Sequence, residues 1–191
     1  EFGIEIYLVS DEPYRKIIFD GIEYPHIFKY HERTIVATSH SKDLALPGER
    51  IGYIAVNPDC PDVEEILDGL VFCNRTLGFV NAPALIQHLV AHLQDTTIDV
   101  GLYEKKRDYL YKALTDMGYS LIKPQGAFYM FPKSPTEDDV QFTEELKGNR
   151  VLVVPGRGFG LPGYFRISYC LDDATIEGSL SGLGKAISAY K

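Results

Sequence analysis

Lys42 stands in the run Ser39-His40-Ser41-Lys42-Asp43-Leu44-Ala45-Leu46-Pro47-Gly48-Glu49-Arg50-Ile51-Gly52, directly after the apolar, strand-like stretch 34–38. An ammonium at the end of a buried strand is costly to desolvate without a partner. Desolvation lowers the pKa of an amine, and a neutral amine is a nucleophile toward an aldehyde. Ser39 and Ser41 precede the lysine and Arg50 follows it by eight residues, a donor set suited to a phosphate. Gly48 and Gly52 allow the backbone to fold closely around such an anion. Singly, Lys42 reads as a strand-end lysine and Arg50 as a surface arginine. Together they describe a site for a phosphate-bearing aldehyde joined to lysine as a Schiff base, the chemistry of pyridoxal phosphate.

Two further groups stand near strand-like runs. Asp11 and Tyr14 end the first of them, in Val9-Ser10-Asp11-Glu12-Pro13-Tyr14, a segment that alone reads as an ordinary strand-ending turn. Arg166 lies in Tyr164-Phe165-Arg166-Ile167-Ser168, where an apolar strand would hold its planar fork for bidentate binding of a carboxylate.

The lysine run resembles the attachment signature of the fold-type I pyridoxal-phosphate enzymes, the aspartate aminotransferase family. The matching positions are Ser39, Ser41, Lys42, Ala45, Leu46, Gly48, Arg50, Ile51 and Gly52. His40 departs from the pattern, because an aromatic or aliphatic residue is usual there. Val153-Val154-Pro155-Gly156 and Gly126-Ala127-Phe128-Tyr129 are also similar to the family's segments. The resemblance implies that Lys42 holds pyridoxal 5'-phosphate and moves the substrate α-proton. It implies that Asp11 pairs with the pyridine nitrogen and keeps the ring electron-withdrawing, and that Tyr14 hydrogen-bonds the 3-oxygen. Ser39 and Arg50 would anchor the phosphate, and Arg166 the substrate α-carboxylate. The implied reaction moves an amino group from an amino acid to a 2-oxo acid in a homodimeric enzyme.

The elements that must position these groups are legible as hydrophobic patterns. Residues 4–9, 34–38 and 51–56 read as strands, the first nearly continuous in apolar character and therefore buried. Leu85, Leu89 and Leu93 recur at helical spacing after Pro83, and a second amphipathic stretch from Leu102 to Met117 is stopped by Gly118. Residues 119–122, 127–131, 151–154 and 165–169 read as short strands, with a closing helix from about Asp173. The expected fold class is α/β. Residues 1–100 would be the C-terminal part of the large mixed-sheet domain, and residues 101–191 a smaller α+β domain.

The 191 residues carry 45% hydrophobic and 24% charged side chains, which excludes wholesale disorder. A net charge of -8 argues against whole-surface attraction to nucleic acid or anionic membrane, and no apolar run approaches the ~20 residues of a membrane span. Cys60, Cys73 and Cys170 form no CxxC pair, so a reducing, cytoplasmic setting is expected. His88 and His92 share a helix face but lack a third metal ligand, and no metal is expected. Gly156-Arg157-Gly158-Phe159-Gly160 reads as a flexible loop near the substrate, and Lys105-Lys106-Arg107 as a solvated helix face.

The chain starts at Glu1 without Met and matches only the later part of the family's plan. Nothing in it corresponds to the family's N-terminal phosphate loop, its ring-stacking aromatic residue, or the tyrosine contributed by a partner subunit. The expectation is a C-terminal fragment with little or no activity alone. A carbon–sulfur β-lyase on the same scaffold and a non-catalytic, self-associating module are the alternatives.

Overall fold

The computed structural model describes residues 3–191, so Glu1 and Phe2, where the expectation of a truncated start begins, lie outside the described residues. The chain forms two compact units, Glu1–Ile98 and Asp99–Lys191.

The first unit is built on strands β1 (Leu8–Asp11), β2 (Thr34–Ser39) and β3 (Gly52–Val56), in the order β1-β2-β3. β1 runs parallel to β2, with Leu8 opposite Thr34 and Asp11 opposite Ala37. β3 runs antiparallel to β2, with Ile35 opposite Val56 and Ser39 opposite Gly52. Alternation along β2 turns Thr34 and Val36 inward, where Ile17, Phe19, Ile51, Cys60 and Val90 are also buried. The one-turn helix α1 (His40–Asp43) follows β2 directly, and helices α2 (Val63–Thr76) and α3 (Ala84–Ala91) follow β3.

The first strand departs from expectation. Its pairing starts only where Leu8 N–H donates to Arg33 O (2.9 Å), and it is an edge strand with one neighbour. Ile4, Ile6 and Val9 are consequently 65% or more exposed, so a continuous apolar run here does not mean burial. Helix α2 was not among the expected elements, although Val63, Ile66, Leu67, Leu70 and Val71 recur at helical spacing, and none of its side chains is buried.

The second unit holds helices α4 (Val100–Asp116), α5 (Asp139–Gly148) and α6 (Asp173–Ser188) around strands β4 (Tyr129–Met130), β5 (Val154–Pro155) and β6 (Phe165–Ser168). The strand order is β4-β6-β5, antiparallel throughout, with Tyr129 opposite Ser168 and Val154 opposite Arg166. Phe165 and Ile167 turn into a core with Tyr119, Phe142, Leu110, Leu114 and Leu183, leaving Arg166 and Ser168 on the other face. Ring centroids within this core lie 5.4 Å apart for Phe142–Phe165 and 5.8 Å for Tyr119–Phe165.

Each helix of this unit has an aspartate at its start. Asp99 accepts from Leu102 N (3.4 Å), Asp138 from Val140 N and Gln141 N (3.1 and 3.2 Å), and Asp172 from Thr175 N (2.8 Å). As expected, α4 stops at Gly118, which adopts φ 93°.

Three expectations fail here. Of the strand expected over residues 151–154, only Val154 is strand, at the start of β5. Residues 119–122 form no strand: Tyr119 instead buries its ring and donates its hydroxyl to Leu183 O (3.0 Å). Arg107 is fully buried rather than solvated, because Pro124 O (2.8 Å), Glu104 and Asp108 receive its guanidinium. Among the described residues no helix is long and apolar enough to cross a membrane, and no cluster of His, Cys, Asp or Glu is suited to hold a metal ion.

Candidate active site

Strand directions gather five of the six candidate residues. Because β1 and β2 are parallel, Asp11 and Ser39 both lie at carboxyl ends, the side on which open α/β sheets bind ligands. β3 runs the opposite way and starts at that same side, with Arg50 just before it. Lys42 belongs to the turn of helix that Ser39 opens. Asp11 and Arg50 are exposed, whereas Tyr14, Ser39 and Lys42 are half-buried.

Lys42 Nζ stands 5.8 Å from the centre of the Tyr14 ring. Arg50 has the left-handed backbone conformation (φ 51°), and its Nη1 donates to Pro47 O (2.6 Å), so it closes its own turn. Gly52 makes this close return possible. A Cβ there would come well inside 3.0 Å of Thr38 O and would press on Ser39. His40 N–H donates to Ile51 O (3.1 Å) and Leu46 N–H to His40 O (3.2 Å), which ties both ends of the turn together.

The turn carrying Lys42 is anchored by two residues whose role the motif alone did not reveal. His40 and Asp43 are both buried, and His40 Nδ1 meets Asp43 Oδ2 at 3.2 Å. Asp43 O accepts from Ile98 N (2.8 Å) and Thr97 Oγ1 (3.1 Å), and Lys16 Nζ lies 3.9 Å from Asp43 Oδ2. Their signal was present in the sequence as the departure at His40, with an acid at the helical i+3 position.

This set has the chemistry pyridoxal phosphate requires: an amine for its aldehyde, a carboxylate for its ring nitrogen, a phenol for its ring oxygen, and a hydroxyl with a guanidinium for its phosphate. The residues present fit the group.

Arg166 lies in the second unit, on the non-core face of β6. Its guanidinium carbon sits 4.0 Å from the centre of the Phe159 ring and 4.4 Å from that of Tyr129. Two aromatic faces therefore hold the fork, leaving its edge for a carboxylate. Tyr129 was legible as part of the Gly126-Ala127-Phe128-Tyr129 segment. The contribution of Phe159 was not, because the glycines around it suggested a flexible loop.

The family model described as aminotransferase class I and II matches residues 4–183. A probable aspartate aminotransferase of Methanocaldococcus jannaschii is 32% identical over 92% of this chain and 48% of its own length. Aromatic-amino-acid aminotransferase 2 of Thermococcus litoralis is 31% identical over 100% of the chain and 52% of its own. The crystal structure of an aminotransferase from Eubacterium rectale superposes with a TM-score of 0.95 at 43% identity, covering 99% of this chain and 48% of that one. The chain thus spans about half the length of the relatives it matches, and the likeness of fold is that of the fold-type I scaffold. With the lysine signature, the sheet edge and these likenesses together, the chain belongs to the class I and II aminotransferase family, whose members depend on pyridoxal phosphate.

Proposed function

We propose that the parent protein transfers an amino group from an amino acid to a 2-oxo acid, and that this chain supplies the lysine, the ring-nitrogen carboxylate and the substrate arginine. The observation carrying this reading is the gathering of Asp11, Tyr14, Ser39, Lys42 and Arg50 at one side of a three-stranded sheet. Residues 1–100 are assigned to the large cofactor domain as its C-terminal part, and residues 101–191 to the small domain. The assembled enzyme is proposed to be a cytoplasmic homodimer.

Pyridoxal phosphate, when bound, supplies an aldehyde for the lysine and a ring able to take up electrons from the substrate carbon. Lys42 Nζ, on its anchored turn, then serves as the group that takes the proton from the substrate Cα and returns one in the reverse direction. Asp11, as a carboxylate, would keep a proton on the ring nitrogen, and the Tyr14 hydroxyl would donate to the ring oxygen. Ser39 Oγ and Arg50 would bind phosphate oxygens, the arginine by releasing Pro47 O. Arg166 would take the α-carboxylate edge-on and orient the amino acid.

The test is chemical. The chain is incubated with pyridoxal phosphate and reduced with borohydride, and the covalent adduct is mapped by mass spectrometry. The expected result is a single adduct on Lys42 that Lys42→Ala eliminates. Labelling spread evenly over surface lysines would overturn the assignment. Amino-group transfer between amino-acid and 2-oxo-acid pairs, measured on the chain alone, tests its incompleteness: a rate like that of a full-length aminotransferase would refute the expectation of a weak or inactive fragment.

A further inference from the structure

The turn that carries Phe159 is locked at its first residues. Asp139, fully buried at the start of α5, uses both carboxylate oxygens on one neighbour: Oδ2 accepts Arg157 N–H (2.8 Å) and Oδ1 accepts Arg157 Nε–H (2.7 Å). Arg157 Nη2 also donates to Asp138 Oδ1 (3.1 Å). Asp139 thus holds both the backbone and the side chain of residue 157, and Asp138 adds a second hold on the side chain. Burial opposes ionisation of Asp139, but the hydrogen bonds and charge of Arg157 outweigh it and hold the carboxyl below its usual range.

The same turn is fixed on its other sides. Gly156 is buried where a Cβ would collide with the carbonyls of Leu161 and Tyr164. Gly160 closes the turn at φ 72° with its N–H on Arg157 O (3.2 Å). The Phe131 ring meets Phe159 edge-on at 5.8 Å. Phe159 itself is 46% exposed, so its place over Arg166 depends on the turn beneath it rather than on burial.

We infer that Asp139 and Arg157 are positioning residues for substrate binding: their ion pair sets the turn that holds the Phe159 ring against the guanidinium of Arg166. Two ring faces leave the fork its edge, which selects a planar carboxylate approaching in the guanidinium plane. The inference rests on the assignment of Arg166 as the substrate-carboxylate arginine.

The experiment uses the full chain, nitrogen-15 labelled, with 2-oxoglutarate as the probe. Arginine Nε–H resonances are followed in the free chain and through a titration. In the free chain the Arg166 signal is expected to be displaced by ring currents, and to move back toward an exposed-arginine value in Arg157→Ala and Phe159→Leu. In the titration these variants should bind roughly tenfold more weakly, the size of a lost cation–π contact. Phe159→Tyr, which keeps the ring, should restore both readouts. Thermal melting verifies that each variant is folded. Arg157 and Phe159 are partly exposed and serve as the primary variants, with Asp139→Asn as the stricter one. If Arg166→Lys leaves 2-oxoglutarate binding unchanged, or if the wild-type chain does not bind it, the assignment of Arg166 fails. If Arg166→Lys abolishes binding while folded Arg157→Ala and Phe159→Leu bind normally, the assignment stands and the positioning role fails. An Arg166 resonance unmoved by Arg157→Ala also overturns the positioning role, whatever the titration shows.

Discussion

Tyr119 and Tyr169 show how single groups tie this chain to its conditions. Both are buried, Tyr119 donating to Leu183 O (3.0 Å) and Tyr169 to Ala127 O (3.1 Å), and burial pushes both phenols well above their ordinary range. A phenol whose folded pKa exceeds its unfolded value of about 10 stabilises fully below that pH and loses the contribution as pH rises through the folded value. The melting temperature should therefore fall above about pH 10. Tyr119→Phe should cost about 1 kcal/mol at neutral pH, by removing a buried hydrogen bond, and should make the alkaline fall shallower. Melts recorded from pH 7 to pH 12 check both. At this scale the six candidate positions were legible because each belongs to a short motif. The contacts of the residues around them were not: His40, Asp43 and Phe159 meet their partners through packing that depends on which elements become neighbours.

The elements differ in what holds them. α6 is capped by Asp172, which takes both Thr175 N and Thr175 Oγ1 (each 2.8 Å) and whose carboxyl is held below its usual range by those bonds. Asp172→Ala should lower the urea unfolding midpoint, and the wild-type advantage should shrink as acid protonates the cap. α2 has neither a side-chain cap nor a buried residue. Its amides should accordingly exchange with deuterium much sooner than those of α4, whose Leu110 and Leu114 are buried. α4 and α6 bury part of an apolar face, whereas α2 gathers Val63, Ile66, Leu67, Leu70 and Val71 on one face and buries none of them. β1 misled for a related reason, since continuous apolar character reports affinity for a partner surface and not the presence of one within the chain.

Across the molecule, the charge of -8 is less informative than the distribution of apolar surface. Val71, Phe72, Leu77 and Phe79 are each 55% or more exposed in the first unit, as are Ile4, Ile6 and Val9. A surface of that kind favours association. Sedimentation should show self-association that grows with concentration, and Phe72→Lys with Phe79→Lys should reduce it without lowering the melting temperature. The turn from Lys42 to Arg50 bears on a different matter, the kind of sequence change the site can absorb. Its ends are fixed by the Ser39–Gly52 register and by the bond from His40 N to Ile51 O (3.1 Å), and Gly52 leaves no slack beside Ser39. Such a turn acts as a ruler. An exchange at an exposed position such as Glu49 leaves that register alone, but a single insertion or deletion would shift one strand by a residue and turn its side chains to the opposite face.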